Sequence, residues 1–214
     1  MSIRFMVFVG IVMGLSGCSS MYYGTMEKIG VHKRDIMVDR VKAARDTQGE
    51  AKKQFLTAME QFKSVVNFQG GDLEREYNKL SATLKRSEAG AAAVRSRIDA
   101  VEDVSEALFS EWRAEMKQYS SDALRRASQR KYDVTREKYR ELIEAMRTAE
   151  AKLEPVLVPL RDQVLFMKHN LNARAIAGLG DELISVQANV DLLVRDMDAA
   201  ISQADRFIAS LREE

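Results

Sequence analysis

Few residues in this chain have types and spacing that could do chemistry. The one cysteine, Cys18, closes the run Leu15-Ser16-Gly17-Cys18, directly behind the charge-free stretch Phe5–Leu15. A lone thiol excludes an internal disulfide and any multi-cysteine metal site. The two histidines are His32 and His169. A helical di-iron centre needs a Glu three residues before each such histidine, and those positions hold Ile29 and Phe166. The chain has no G-x-x-x-x-G-K-[ST] phosphate loop, no G-x-S-x-G elbow and no H-E-x-x-H pair. Carboxylate pairs such as Glu102-Asp103 read as a solvated face, and the methionines at helical spacing read as core filler. The expectation is therefore no catalytic residue, no metal, no cofactor and no small-molecule substrate.

Cys18 invites a different reading. Leu, two small residues and cysteine resemble a bacterial lipobox. The resemblance implies cleavage before Cys18, a diacylglycerol thioether on its sulfur and acylation of the new terminus. Phe5–Leu15 spans eleven residues, only ~16 Å as a helix against a ~30 Å hydrocarbon core. That is too short to span and right for the apolar part of a secretory signal. Several acyl chains anchor far better than one. Ser19 and Ser20 follow the cysteine. In Gram-negative lipoproteins an Asp there resembles an inner-membrane retention signal, so its absence implies an outer-membrane lipoprotein facing the periplasm.

Composition agrees with an exported helical rod. Lys and Arg number 33 against 32 Asp and Glu, a formal net charge of +1, without the basic surplus of a nucleic-acid binder. Charged residues make up 30% and aromatics 7% of the chain, with two prolines. This is the profile of long, charge-laced helices.

Apolar residues spaced alternately three and four apart define four seams. The first runs Met37, Val41, Ala44, Gln48, Ala51, Phe55, Ala58, Phe62, Val65. The second runs from Leu73 through Leu84, Ala91, Ile98 and Ser105 to Trp112, the third from Tyr132 through Leu142 and Leu153 to Leu160, and the fourth from Leu183 to Leu211. The predicted architecture is all-α: an elongated antiparallel four-helix bundle or coiled coil. Its parts are a signal peptide over 1–17, an acylated anchor and linker over 18–26, and a helical domain over 27–214. Helices are expected at about 27–66, 72–119, 121–177 and 181–212. Pro155 and Pro159 predict a kink in the third. Gly70-Gly71, Ser120-Ser121 and Gly178-Leu179-Gly180 supply the turns. In the first hairpin the seams pair Phe55 with Leu84, Gln48 with Ala91 and Ala51 with Ser87. The small residues there permit close backbone approach.

Two surface features follow from this topology. Arg125, Arg126, Arg130, Lys131, Arg136, Lys138 and Arg140 gather near the end expected to face the membrane. Arg125, Arg126, Arg130 and Lys131 are candidates for contact with anionic headgroups, with Tyr22, Tyr23, Trp112 and Tyr119 as interfacial aromatics. The preferred alternative is neutralisation across the hairpin by Asp99, Glu102, Asp103, Glu106 and Glu111. At the far tip, Phe68 and Leu179 are candidate partner contacts. There the preferred alternative has both folding back as apolar caps on the helix ends.

The lipobox, the following Ser-Ser-Met-Tyr-Tyr, the run Gly30-Val31-His32-Lys33-Arg34-Asp35 and the turn Phe68-Gln69-Gly70-Gly71 together resemble a family of bacterial lipoproteins catalogued only as a domain of unknown function. The resemblance covers nearly all of the chain after the leader and implies a helical envelope lipoprotein. The expected function is a non-enzymatic, lipid-anchored adaptor that presents a rod to an envelope protein. The alternative is a helical module that binds membrane lipid. Self-association stays open, because long seams often pair between chains.

Overall fold

The computed structural model describes residues 32–68, 70, 72–172, 176 and 178–212. The signal peptide, Cys18 and the linker over 18–26 lie outside the described residues, as do Gln69, Gly71 and Arg174 of the far tip. Among the described residues five helices run in order: α1 Lys33–Val66, α2 Leu73–Met116, α3 Asp122–Ala151, α4 Leu153–His169 and α5 Gly180–Arg212. Among the described residues there is no strand. α3 and α4 together form the third leg of a four-legged bundle. α1 packs on α2 and α5, and the third leg packs on the same two, so α1 and the third leg lie diagonally opposed.

The seams form the core. Every seam residue named for α1 is buried, from Met37 to Val65, and so is the α5 series from Val186 to Leu211. Burial of such a stripe against three neighbours, rather than helix propensity, supplies most of the stability of helices this long. α1 and α5 run antiparallel in matched heptad steps: Arg45 meets Asp205 at 2.7 Å and Lys52 meets Asp198 at 2.5 Å. The α1–α2 register agrees with the expected one to within a turn. Ser87 Oγ donates to Gln54 O at 3.5 Å, and a Cβ on Gly90 would lie 3.7 Å from that of Ala51. The middle of the bundle is lined by small residues, Ala44, Ala51, Ser87, Ala91, Ala200 and Ala204, and among them sits the fully buried Gln48.

The seam of α2 departs from the strict heptad near its end. Phe109 and Met116 are buried, whereas Leu108 and Trp112 are only half-buried. A straight helix has 3.6 residues per turn and drifts ~20° per heptad against a 3.5 repeat. Over a helix of 44 residues the drift moves the buried face by one position. Phe109, Met116 and Tyr132 form a separate apolar cluster, with Trp112 and Tyr139 against it. Phe109 meets Tyr132 edge-on at 5.5 Å and Trp112 meets it at 5.7 Å.

The ends follow local chemistry. Asp72 caps α2 by accepting from Arg75 N at 3.0 Å, and Ser121 caps α3 by accepting from Leu124 N at 3.4 Å. Gly70 takes φ +142° in the α1–α2 turn, a region closed to most side chains. The third leg breaks at Lys152, between the helices, and not at the prolines. Pro155 has no N–H for the carbonyl of Ala151, and its ring crowds that oxygen, so α3 stops there. Pro155 then falls in the first turn of α4, where its donor is not needed. Pro159 stays inside α4. The third leg also ends earlier than expected, at His169 rather than near 177. The side chain of Asn170 donates to Phe166 O at 2.9 Å and closes the helix there.

Candidate functional site

The two ends of the bundle differ in chemistry. At one end meet the start of α1, the end of α2, the start of α3 and the end of α5. Lys33 Nζ pairs with Glu111 at 2.9 Å, Arg34 donates to Leu211 O, and Trp112 Nε1 donates to Ser128 Oγ at 2.9 Å. This end is basic. Arg125, Arg126 and Arg130 are exposed, and Lys131 is half-buried and engaged. Arg125 pairs with Asp122 at 2.5 Å. Arg136 lies 6.0 Å from the ring centre of Tyr132, and Arg140 pairs with Glu137 at 2.6 Å. Its hydrogen bond holds the Glu137 carboxyl below the ordinary glutamate value.

Of the carboxylates expected to neutralise this stretch across the hairpin, Asp99, Glu102 and Glu111 pair with other cations, while Asp103 and Lys131 are each engaged. Asp99 and Glu102 both go to Arg147, at 2.7 Å for Asp99, and Glu150 joins the same guanidinium at 2.6 Å. Three carboxylates hold the Arg147 pKa above its usual value, the Glu102 hydrogen bond foremost. Glu111 goes to Lys33. The antiparallel step was right, but a long side chain reaches a full turn past its level, and Arg147 lies beyond the stretch considered. Among the described residues, Arg126 and Arg130 have no carboxylate within ion-pair distance.

Sequence reasoning missed Arg113, on the last turn of α2, and Lys117, which caps its end. With Ser110, Arg125 and Gln129 they line an open groove where α2 and α3 meet. The signal was there in the spacing: Arg113 with Lys117 and Arg125 with Gln129 are each four apart, so each pair shares a helix face. Tyr119 and Leu124 stand exposed beside this groove, Leu124 at 59%. A smaller hollow of about 180 Å³ lies between Arg34, Leu108, Trp112, Thr135 and Leu211. It falls below the ~300 Å³ at which ligand pockets usually begin. Among the described residues no group of three His, Cys, Asp or Glu is placed to hold a metal ion.

The opposite end carries apolar exposure. Leu165, Phe166 and Leu171 at the end of the third leg, and Ile184 at the start of α5, are all exposed, Ile184 at 71%. Leu179 does not join them. It is 7% exposed and packs into the core, its N–H bonded to Ile176 O at 3.0 Å. Phe68 is half-buried, its N–H bonded to Val65 O at 3.2 Å. Phe68 and Leu179 thus sit back on the helix ends, and the accessible apolar residues are Leu165 and Phe166 of α4, Leu171 just past it and Ile184 of α5. Outside both ends, Arg161 joins Glu88 of α2 at 2.5 Å and Glu154 at 3.2 Å, while Arg95 reaches Glu154 at 3.3 Å. No described helix is long and apolar enough to cross a membrane.

Fold and surface together define an all-α helical bundle with one basic end and one apolar end. The chain belongs to the family described as "Protein of unknown function (DUF2959)", whose model matches residues 22–211. No curated protein matches it.

Proposed function

We propose that this chain is a non-enzymatic, lipid-anchored rod of the cell envelope that holds a protein partner away from the membrane. The supporting observation is the sorting of chemistry between the ends. Lys33, the first residue of α1, lies at the basic end with Glu111, Ser128 and Leu211. A lipid on Cys18 would therefore tether the basic end, and Leu165, Phe166, Leu171 and Ile184 would face outward. α2 has 44 residues, so the span between ends is about 66 Å at 1.5 Å per residue. In a Gram-negative cell the anchor would be the periplasmic leaflet of the outer membrane.

The test has two parts. Replacing Cys18 by Ala moves the protein from the membrane to the soluble fraction, and retention in the membrane overturns the anchor. A photo-reactive residue at Phe166 gives a discrete protein adduct in intact cells. No adduct from Phe166, Leu165 or Ile184 overturns the adaptor reading.

A second reading, contact with anionic lipid through the basic residues of α3, is favoured by the carboxylate pairing described above. Asp99, Glu102 and Glu111 are committed to Arg147 and Lys33, which leaves Arg126 and Arg130 to solvent.

A further inference from the structure

We infer that the groove between the end of α2 and the start of α3 binds the phosphate of an anionic membrane lipid, with Arg113, Lys117 and Arg125 as its cationic walls. The inference rests on the membrane-contact reading and relocates it, from the outer face of α3 to the groove at the bundle end.

The geometry carries it. Arg113, on the last turn of α2, and Lys117, the residue that caps its end, stand four apart, and Arg125 and Gln129 stand one turn apart on α3. The short connection over 117–121 brings the two pairs onto one groove, with the Ser110 hydroxyl as a neutral donor, while the Gln129 Nε2 donates to Asp133 at 2.8 Å. Arg113 and Lys117 are exposed and form no ion pair among the described residues. Carboxylates touch the lining at Asp122, 2.5 Å from Arg125, and at Asp133, 2.8 Å from Gln129, and the three cationic walls keep a positive balance against them. Guanidinium groups match phosphate oxygens with paired N–H donors, and an ammonium adds a point charge. A site of this kind accepts a phosphodiester.

The membrane, rather than a soluble phosphate, is the occupant that fits the surroundings. Tyr119 and Leu124 project from the same connection and the first turn of α3. An amphipathic ring and an aliphatic side chain beside cations suit the headgroup level of a bilayer. Each basic residue near an anionic surface adds to the attraction. A lipid tether fixes where the rod sits but leaves its tilt free. A second contact at the α2–α3 end holds the rod by its end and fixes the tilt.

The chain has one tryptophan, and Trp112 lies one residue before Arg113. The experiment uses the full lipidated chain reconstituted into phosphatidylcholine vesicles, with or without phosphatidylglycerol, and reads quenching of Trp112 by brominated lipid. Flotation first confirms that every sample is anchored, so the anchor is scored separately. The expected result is strong quenching in the anionic vesicles only, lost at high salt and lost in R113E/K117E. The variant R126E/R130E, outside the groove, keeps it. Loss in R126E/R130E with retention in R113E/K117E overturns the groove and leaves the broader reading standing. Quenching independent of lipid charge overturns both. Relief of quenching by inorganic phosphate, with no dependence on lipid charge, assigns the groove to a soluble anion and overturns the membrane assignment.

Discussion

The side-chain amide of Asn189, on α5, donates to the carbonyl oxygen of Pro155, on α4, at 3.3 Å. That oxygen is the one Pro159 leaves bare, because a helix carbonyl takes its hydrogen bond from the residue four further on. A neighbouring leg thus supplies the donor that the proline ring removed. The cost of an interior proline is met by tertiary structure, and α4 continues through it.

This relationship predicts a non-additive pair of substitutions. Asn189→Ala removes the donor and should cost about 0.5–1 kcal/mol, the net worth of a partly exposed hydrogen bond. In a Pro159→Ala background the Ala N–H takes over, and Asn189→Ala should then cost close to nothing. Urea unfolding of the four proteins gives the coupling. Additive effects would mean that the Asn189 contact carries no such role.

Gln48 is buried at 0% exposure, with neither side-chain amide atom in a hydrogen bond. An unpaired buried amide costs on the order of 1–3 kcal/mol. Gln48→Met keeps the length and removes the polar atoms. It should raise stability by ~1–2 kcal/mol, equivalent to roughly 2–8 °C in Tm for a chain of this size. A fall in Tm would show that the amide is satisfied in solution.

Gly90 sits inside α2, where glycine costs ~1 kcal/mol relative to alanine. A Cβ there would lie 2.3 Å from Gln54 Oε1 and 3.7 Å from Ala51 Cβ. The first contact is with the free end of a flexible side chain whose oxygen has no partner, and the second is ordinary. Gly90→Ala should therefore stabilise by up to ~1 kcal/mol, with Gln54 swinging aside. Calorimetry that finds destabilisation would mean that Gln54 cannot move.

The Glu154 carboxyl is held below its ordinary value, chiefly by its hydrogen bond from Arg161, with Arg95 assisting. A carboxyl whose folded pKa is depressed lends stability above its unfolded pKa, and that stability is lost as pH falls through the folded value. The pair is exposed, so solvent screens it to ~0.5 kcal/mol. Wild type should lose this increment on acidification below about pH 4.5, the ordinary glutamate value that Glu154 departs from. Glu154→Gln should lack it at neutral pH and show a shallower acid limb in denaturation. An unchanged limb would remove Glu154 from the acid response.

Much of this fold was legible in the order of apolar residues. The α1 stripe from Met37 to Val65 and the α5 stripe from Val186 to Leu211 were readable because burial on one face imposes a period that nothing local overrides. The end of α2 was less readable. The heptad template placed Leu108 and Trp112 in the seam, whereas the real helical pitch turns Phe109 and Met116 inward. The break at Lys152 was one turn from the proline expected to cause it, because the clash falls on the residue four positions back. Side-chain pairing was least legible. Which cation meets Glu102 depends on a reach of several ångströms, and a pattern of spacings carries no information at that scale. For the same reason the groove that Arg113 and Lys117 form with Arg125 is not legible in the spacings, whereas Leu179 is buried at 7%, as the preferred fold-back reading of the tip has it.

Among the described residues only the third leg of the bundle is jointed. α1, α2 and α5 run unbroken past the level of Lys152, where α3 gives way to α4. A column with three continuous struts and one hinged strut does not flex equally in all directions. Sideways load that stretches or compresses the hinged side meets the least stiffness, and α1, diagonally across, acts as the spine about which the column bows. The rod therefore has a built-in plane of bending.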